Sequence, residues 1–70
     1  MRVYVNDKQV LIFRGARVID AVRRVFVRRK MDLHLINNIM VFDSYGNEIA
    51  TDGHMKDDQR ISFKVITPDE

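Results

Sequence analysis

Val18-Ile19-Asp20-Ala21-Val22-Arg23-Arg24-Val25-Phe26 sets the architecture of the chain. Val18, Ala21, Val22 and Val25 recur at i, i+3, i+4 and i+7, the spacing of one buried helical stripe. Ile19 and Phe26 widen that stripe to one side. Valine is a mediocre helix former, so a helix this rich in it depends on what it packs against. Its far face is basic: Arg17, Arg24 and Arg28 lie close together, with Arg23 and Lys30 flanking them. The pattern predicts that the helix fades between Arg29 and Asp32, with Arg28, Arg29 and Lys30 in a last turn where cations suit the helix dipole.

On the N-terminal side, Val3 and Val5 alternate with Arg2 and Tyr4, which reads as a half-buried strand. Asn6-Asp7-Lys8 is turn chemistry, and Gln9-Val10-Leu11-Ile12-Phe13 is the returning strand of a hairpin. Arg14-Gly15 ends it. On the C-terminal side the text is less regular. Leu33-His34-Leu35-Ile36 and Ile39-Met40-Val41-Phe42 are separated by Asn37-Asn38, a turn or bulge signal. Asp43-Ser44-Tyr45-Gly46-Asn47 is a loop, Glu48-Ile49-Ala50 a short strand, and residues 51–59 a polar, turn-rich segment. Ile61, Phe63 and Val65 alternate with Ser62 and Lys64 as a strand with one buried face, which Pro68 stops.

The order is therefore strand, strand, helix, strand, short strand, strand. A helix between two hairpin-like halves packs most simply across one face of a mixed sheet, with the first and last strands parallel at its centre. The expected fold class is α+β, a β-grasp (ubiquitin-like) domain with a mixed four- to five-stranded sheet and one helix, spanning residues 1–70 as a single domain.

A chain of 70 residues buries roughly 60 % of its unfolded surface. A core of that size contributes about 3–5 kcal/mol net. There is no cysteine, which excludes disulfides, cysteine-based zinc sites and iron–sulfur clusters as reinforcement. The alternating start and the absence of a run of about 20 apolar residues predict no secretion signal and no membrane span, and a cytoplasmic location. The net charge of +2 conceals an asymmetry. Residues 14–30 hold seven cations (Arg14, Arg17, Arg23, Arg24, Arg28, Arg29, Lys30) against Asp20 alone. Residues 43–70 hold seven acids (Asp43, Glu48, Asp52, Asp57, Asp58, Asp69, Glu70) against Lys56, Arg60 and Lys64. Such a division bears on partners and solubility, not on fold.

Several segments together resemble a family. Val3-Tyr4-Val5-Asn6-Asp7, Gly15 with Val18 opening the helix, Ile36-Asn37-Asn38, and Lys56-Asp57-Asp58-Gln59-Arg60-Ile61-Ser62-Phe63-Lys64-Val65-Ile66 resemble the small sulfur carriers of thiamine and molybdopterin synthesis (ThiS/MoaD-like). The resemblance covers nearly the whole chain, through short motifs that RNA-associated TGS domains and plant-type ferredoxins share. It implies a β-grasp fold and, for a true carrier, a C-terminal Gly-Gly that is activated and loaded with sulfur. That pair would fall after Ile66, where Thr67-Pro68-Asp69-Glu70 stands instead, and no glycine follows Gly53.

No catalytic constellation takes its place. His34 and His54 match no zinc or calcium spacing and read as surface or turn residues. Asp57 and Asp58 read as turn residues before a strand rather than as an acid–base pair. Ser44 and Ser62 have no histidine in a recognisable arrangement, and Gly15, Gly46 and Gly53 are isolated. The expectation is a non-enzymatic binding or adaptor module, without cofactor or metal, docking on a larger protein. Two surfaces are candidates. The first is an anion-binding helix face of Arg17, Arg23, Arg24, Arg28, Arg29 and Lys30, suited to an acidic protein or to RNA or another polyanion. The second is an open sheet face of Tyr4, Leu11, Phe13 and Ile66, suited to a protein. The alternatives are an RNA-associated TGS-like module using the basic helix, and a sulfur carrier with an atypical tail.

Overall fold

A computed structural model describes residues 1–66; the expected stop at Pro68 and the tail segment fall outside the described residues. Two strands open the chain, β1 (Arg2–Val5) and β2 (Lys8–Leu11), paired antiparallel with Val3 opposite Val10. Asn6 and Asp7 join them with φ of 50° and 67°. Positive φ at both central residues is what a tight hairpin turn demands, and Asn and Asp tolerate it best after glycine. β2 ends two residues sooner than its apolar run. Ile12 still turns inward and is buried, but Phe13 lies beyond the strand and is 60 % exposed.

Helix α1 spans Val18–Arg28. Its start is fixed twice. The Asp20 carboxylate accepts the Arg17 amide at 2.8 Å, half of a capping box. The amides of Val18 and Ile19 donate to the carbonyls of Gly53 and Thr51, so the polar segment 51–59 closes the helix N-terminus. Its end is a Schellman arrangement: Lys30 sits at φ 56°, its amide donates to the Val27 carbonyl, and the Met31 amide donates to the Phe26 carbonyl. Arg28 alone is thus in the last helical turn, with Arg29 at the cap and Lys30 past it.

A short 3-10 turn follows at Leu33–Asn37, then β3 (Ile39–Asp43), β4 (Glu48–Ile49) and β5 (Arg60–Val65). The five strands form one mixed sheet in the order β2-β1-β5-β3-β4. β1 and β5 run parallel at its middle, and the other neighbours are antiparallel. The fold is α+β, with a single helix and a five-stranded mixed sheet among the described residues.

The helix stripe and one sheet face share the core. Val18, Ala21, Val22, Val25 and Phe26 of α1 meet Val3, Val5, Val10, Val41 and Ile61 of the strands. Phe26 is fully buried, with its ring centroid 5.4 Å from that of Phe63 in a tilted pair. Met55 inserts from the 51–59 segment, which explains why a polar stretch is held in place. The opposite sheet face carries the alternate residues: Arg2 and Tyr4 of β1, Arg60, Ser62 and Lys64 of β5, and Met40 and Phe42 of β3.

Candidate binding surfaces

The helix side offers one surface. Phe13, released from β2, lines a depression of about 340 Å³ together with Asp20, Arg23, Arg24 and Val27. Phe13 and Val27 are each 60 % exposed. Val27 follows Arg23 and Arg24 by four and three residues, so all three share one side of α1. The Arg23 guanidinium lies 3.5 Å from the Asp20 carboxylate. The result is a small apolar floor beside two guanidinium groups.

The six basic residues expected to act together are divided among four places. Arg17 sits at the helix start, where its Nη1 donates to the Asp52 carbonyl at 3.4 Å. Arg23 and Arg24 line the depression. Arg28 reaches to the sheet edge, its Nη1 donating to the Gln9 carbonyl at 3.3 Å. That contact occupies an acceptor on edge strand β2, the group a further strand would otherwise use. Arg29 and Lys30 lie at the helix end, with Lys30 in the left-handed region.

The four residues expected to share the open sheet face are also separated. Tyr4 lies on that face, opposite Arg60 in the parallel pair. Leu11 stands opposite Arg2 and is 61 % exposed. Phe13 is on the helix side, because the chain has left the sheet before reaching it and alternation no longer governs its direction. Ile66 follows the far end of β5, six residues beyond Arg60, which is about 20 Å along a strand. Tyr4 and Leu11 remain near one another; Phe13 and Ile66 do not join them.

The open face holds another group instead. The Arg60 guanidinium carbon lies 4.3 Å from the Tyr4 ring centroid, and Lys64 Nζ lies 5.8 Å from that of Phe42. Both are cation–π contacts. The period-2 alternation of β5 puts Arg60, Ser62 and Lys64 outward, which is legible in the sequence. Which ring each cation meets depends on the β1–β5 and β3–β5 registers, and no local signal states those.

The remaining polar residues have structural duties. Asp57 accepts the Arg2 amide at 3.2 Å, and Asp58, at φ 63°, lies 3.5 Å from the Arg2 side chain and donates its amide to the Arg2 carbonyl. The pair moors the start of β1. A cleft of about 280 Å³ lies where the β1–β2 and β3–β4 turns approach, lined by Asn6, Asp7, Asp43, Ser44 and Arg60 among others. Asn6 Oδ1 accepts the Phe63 amide there, joining the hairpin turn to β5. The Asp43 carboxylate accepts the amides of Asn47 and Tyr45, both at 2.9 Å, and the Asn47 amide chiefly holds its carboxyl below the usual carboxylate range. His54 bridges to Arg17 across the helix start, and the His34 amide donates to the capping carboxylate of Asp32. Among the described residues, no three His, Cys, Asp or Glu side chains converge as metal ligands, and no helix is long and apolar enough to cross a membrane.

No protein-family model matches the chain, and no curated protein matches it.

Proposed function

We propose that this chain is a non-catalytic β-grasp binding module that docks on a larger protein through the helix-side depression. The β-grasp reading is supported by the strand order β2-β1-β5-β3-β4, by the central parallel pair, and by one helix laid across one sheet face. The docking reading rests on one observation: exposed Phe13 and Val27 side by side, with Arg23 and Arg24 at the rim.

An aromatic and an aliphatic side chain in a depression can anchor a partner, while guanidinium groups at the edge select carboxylates by paired hydrogen bonds. The partner surface that fits is an apolar side chain flanked by acids. This helix side suits a protein better than a polyanion. Asp20 lies within the surface, Arg23 is beside it, and Arg17 and Arg28 are drawn to backbone carbonyls elsewhere.

The test is affinity capture from the native host with the wild-type chain and two exposed-surface variants matched in thermal stability. Proteins captured by the wild type are expected to be lost with Val27→Glu and retained with Leu11→Ser. Capture that survives Val27→Glu and fails with Leu11→Ser would move the docking site to the sheet.

A further inference from the structure

The open sheet face is a different kind of surface from the helix side. Its middle strand, β5, projects Arg60, Ser62 and Lys64 outward in a row, with about 13 Å between the two cationic positions. An aromatic ring stands on each side of that row: Tyr4 on β1 and Phe42 on β3, about 10 Å apart across the strands. Each ring already has one of the two cations over it. Arg2 continues the row on β1, with its charge offset by Asp58. Glu48, opposite Phe42 on outer strand β4, bounds the face on the far side.

We infer that this face binds single-stranded nucleic acid, with the phosphate chain following β5 past Arg60 and Lys64 and with bases stacked on the Arg60–Tyr4 pair and against Phe42. The ligand class follows from the combination of groups. A row of cations alone would suit any polyanion, an acidic peptide included. Flat rings beside the row add a stacking surface that unpaired bases use and carboxylates do not. The Arg60 guanidinium is itself planar, so a base can stack on it where it overlies Tyr4. A duplex keeps its bases stacked internally and offers nothing to these rings. The helix side offers a single ring, Phe13, with two guanidinium groups around a depression, not a strand-spaced row of cations between two rings.

The chain reports on itself here. It has no tryptophan and two tyrosines, Tyr4 and Tyr45. In a Tyr45→Phe background, Tyr4 is the only tyrosine fluorophore. Titration with a short oligo-dT at low salt is expected to quench Tyr4 emission. With two phosphates contacted, the affinity should fall with salt at a logarithmic slope of about −1.4. Arg60→Ala and Lys64→Ala should each weaken binding and reduce that slope by about 0.7. Phe42→Leu should weaken binding without changing the slope, and Arg24→Ala should leave both unchanged. Backbone amide shifts should fall on β1, β3 and β5. Any of four results would overturn the inference: no quenching at low salt, equal binding to duplex, equal binding to polyglutamate, or shifts confined to residues 17–30.

Discussion

Lys30 carries a conformational cost that its position explains. It holds φ at 56° because the helix can turn back toward the 3-10 segment only through a left-handed residue. Glycine adopts that conformation without the penalty an L side chain meets. Lys30→Gly is therefore expected to raise stability by about 1 kcal/mol, read from urea unfolding. The same substitution should leave the helix-side capture unchanged, because Lys30 lies away from the depression. Asp43 gives a prediction in pH. Its carboxyl is held low by the amides of its own loop, first that of Asn47. A depressed carboxylate stabilises the fold above its unfolded value, near 4, and that contribution is lost as pH falls through the lower folded value. Stability should decline with acid in this window, and Asp43→Asn should flatten the decline. An unaltered acid profile in Asp43→Asn would mean that other carboxylates set it.

At the scale of elements, α1 was legible from its own residues. The 3.6-residue recurrence of Val18, Ala21, Val22 and Val25 stands in the sequence, and all four are buried. The Asn6-Asp7 turn was equally plain, since both residues adopt the backbone that their chemistry favours. Two features were hidden. Leu33-His34-Leu35-Ile36 is a short apolar run, and such a run does not distinguish a strand from a helical turn by periodicity; it belongs to a 3-10 turn. The end of β2 was hidden because Gln9 through Phe13 is β-prone throughout, while the backbone pairing ends with Met1 and Ile12, just short of Phe13. That single difference moves Phe13 from the sheet to the helix side. The helix start also depends on a distant segment, since residues 51 and 53 accept its first amides. Asp20 is the local part of this closure. Asp20→Ala should cost about 1 kcal/mol in unfolding free energy, the usual value of a lost cap. No loss would mean that the 51–59 segment holds the helix start alone.

For the whole molecule, the charge asymmetry becomes a spatial division with two consequences. Among the described residues, three acids of the C-terminal half act within the chain: Asp57 and Asp58 at the start of β1, and Asp43 inside its own loop. The basic segment is not one face but is divided among four places, and Arg23 and Arg24 are the pair that line the depression with exposed Phe13 and Val27. The sequence displayed the charges and their helical spacing. It did not display which of them the fold would occupy, because those partners come from residues 19 to 35 positions away or from the same turn. The cation–ring pairs on the sheet are longer-range still, joining residue 4 to 60 and 42 to 64.

The claim that the Phe13–Val27 depression is where this module docks is tested most directly by site-specific photo-crosslinking in the native host. A photoreactive residue at position 27 is expected to give a discrete protein adduct that disappears when Arg23 and Arg24 are both replaced by glutamate. An adduct from position 11 with none from position 27 would contradict the account, as would an adduct from position 27 that persists after both arginines are reversed.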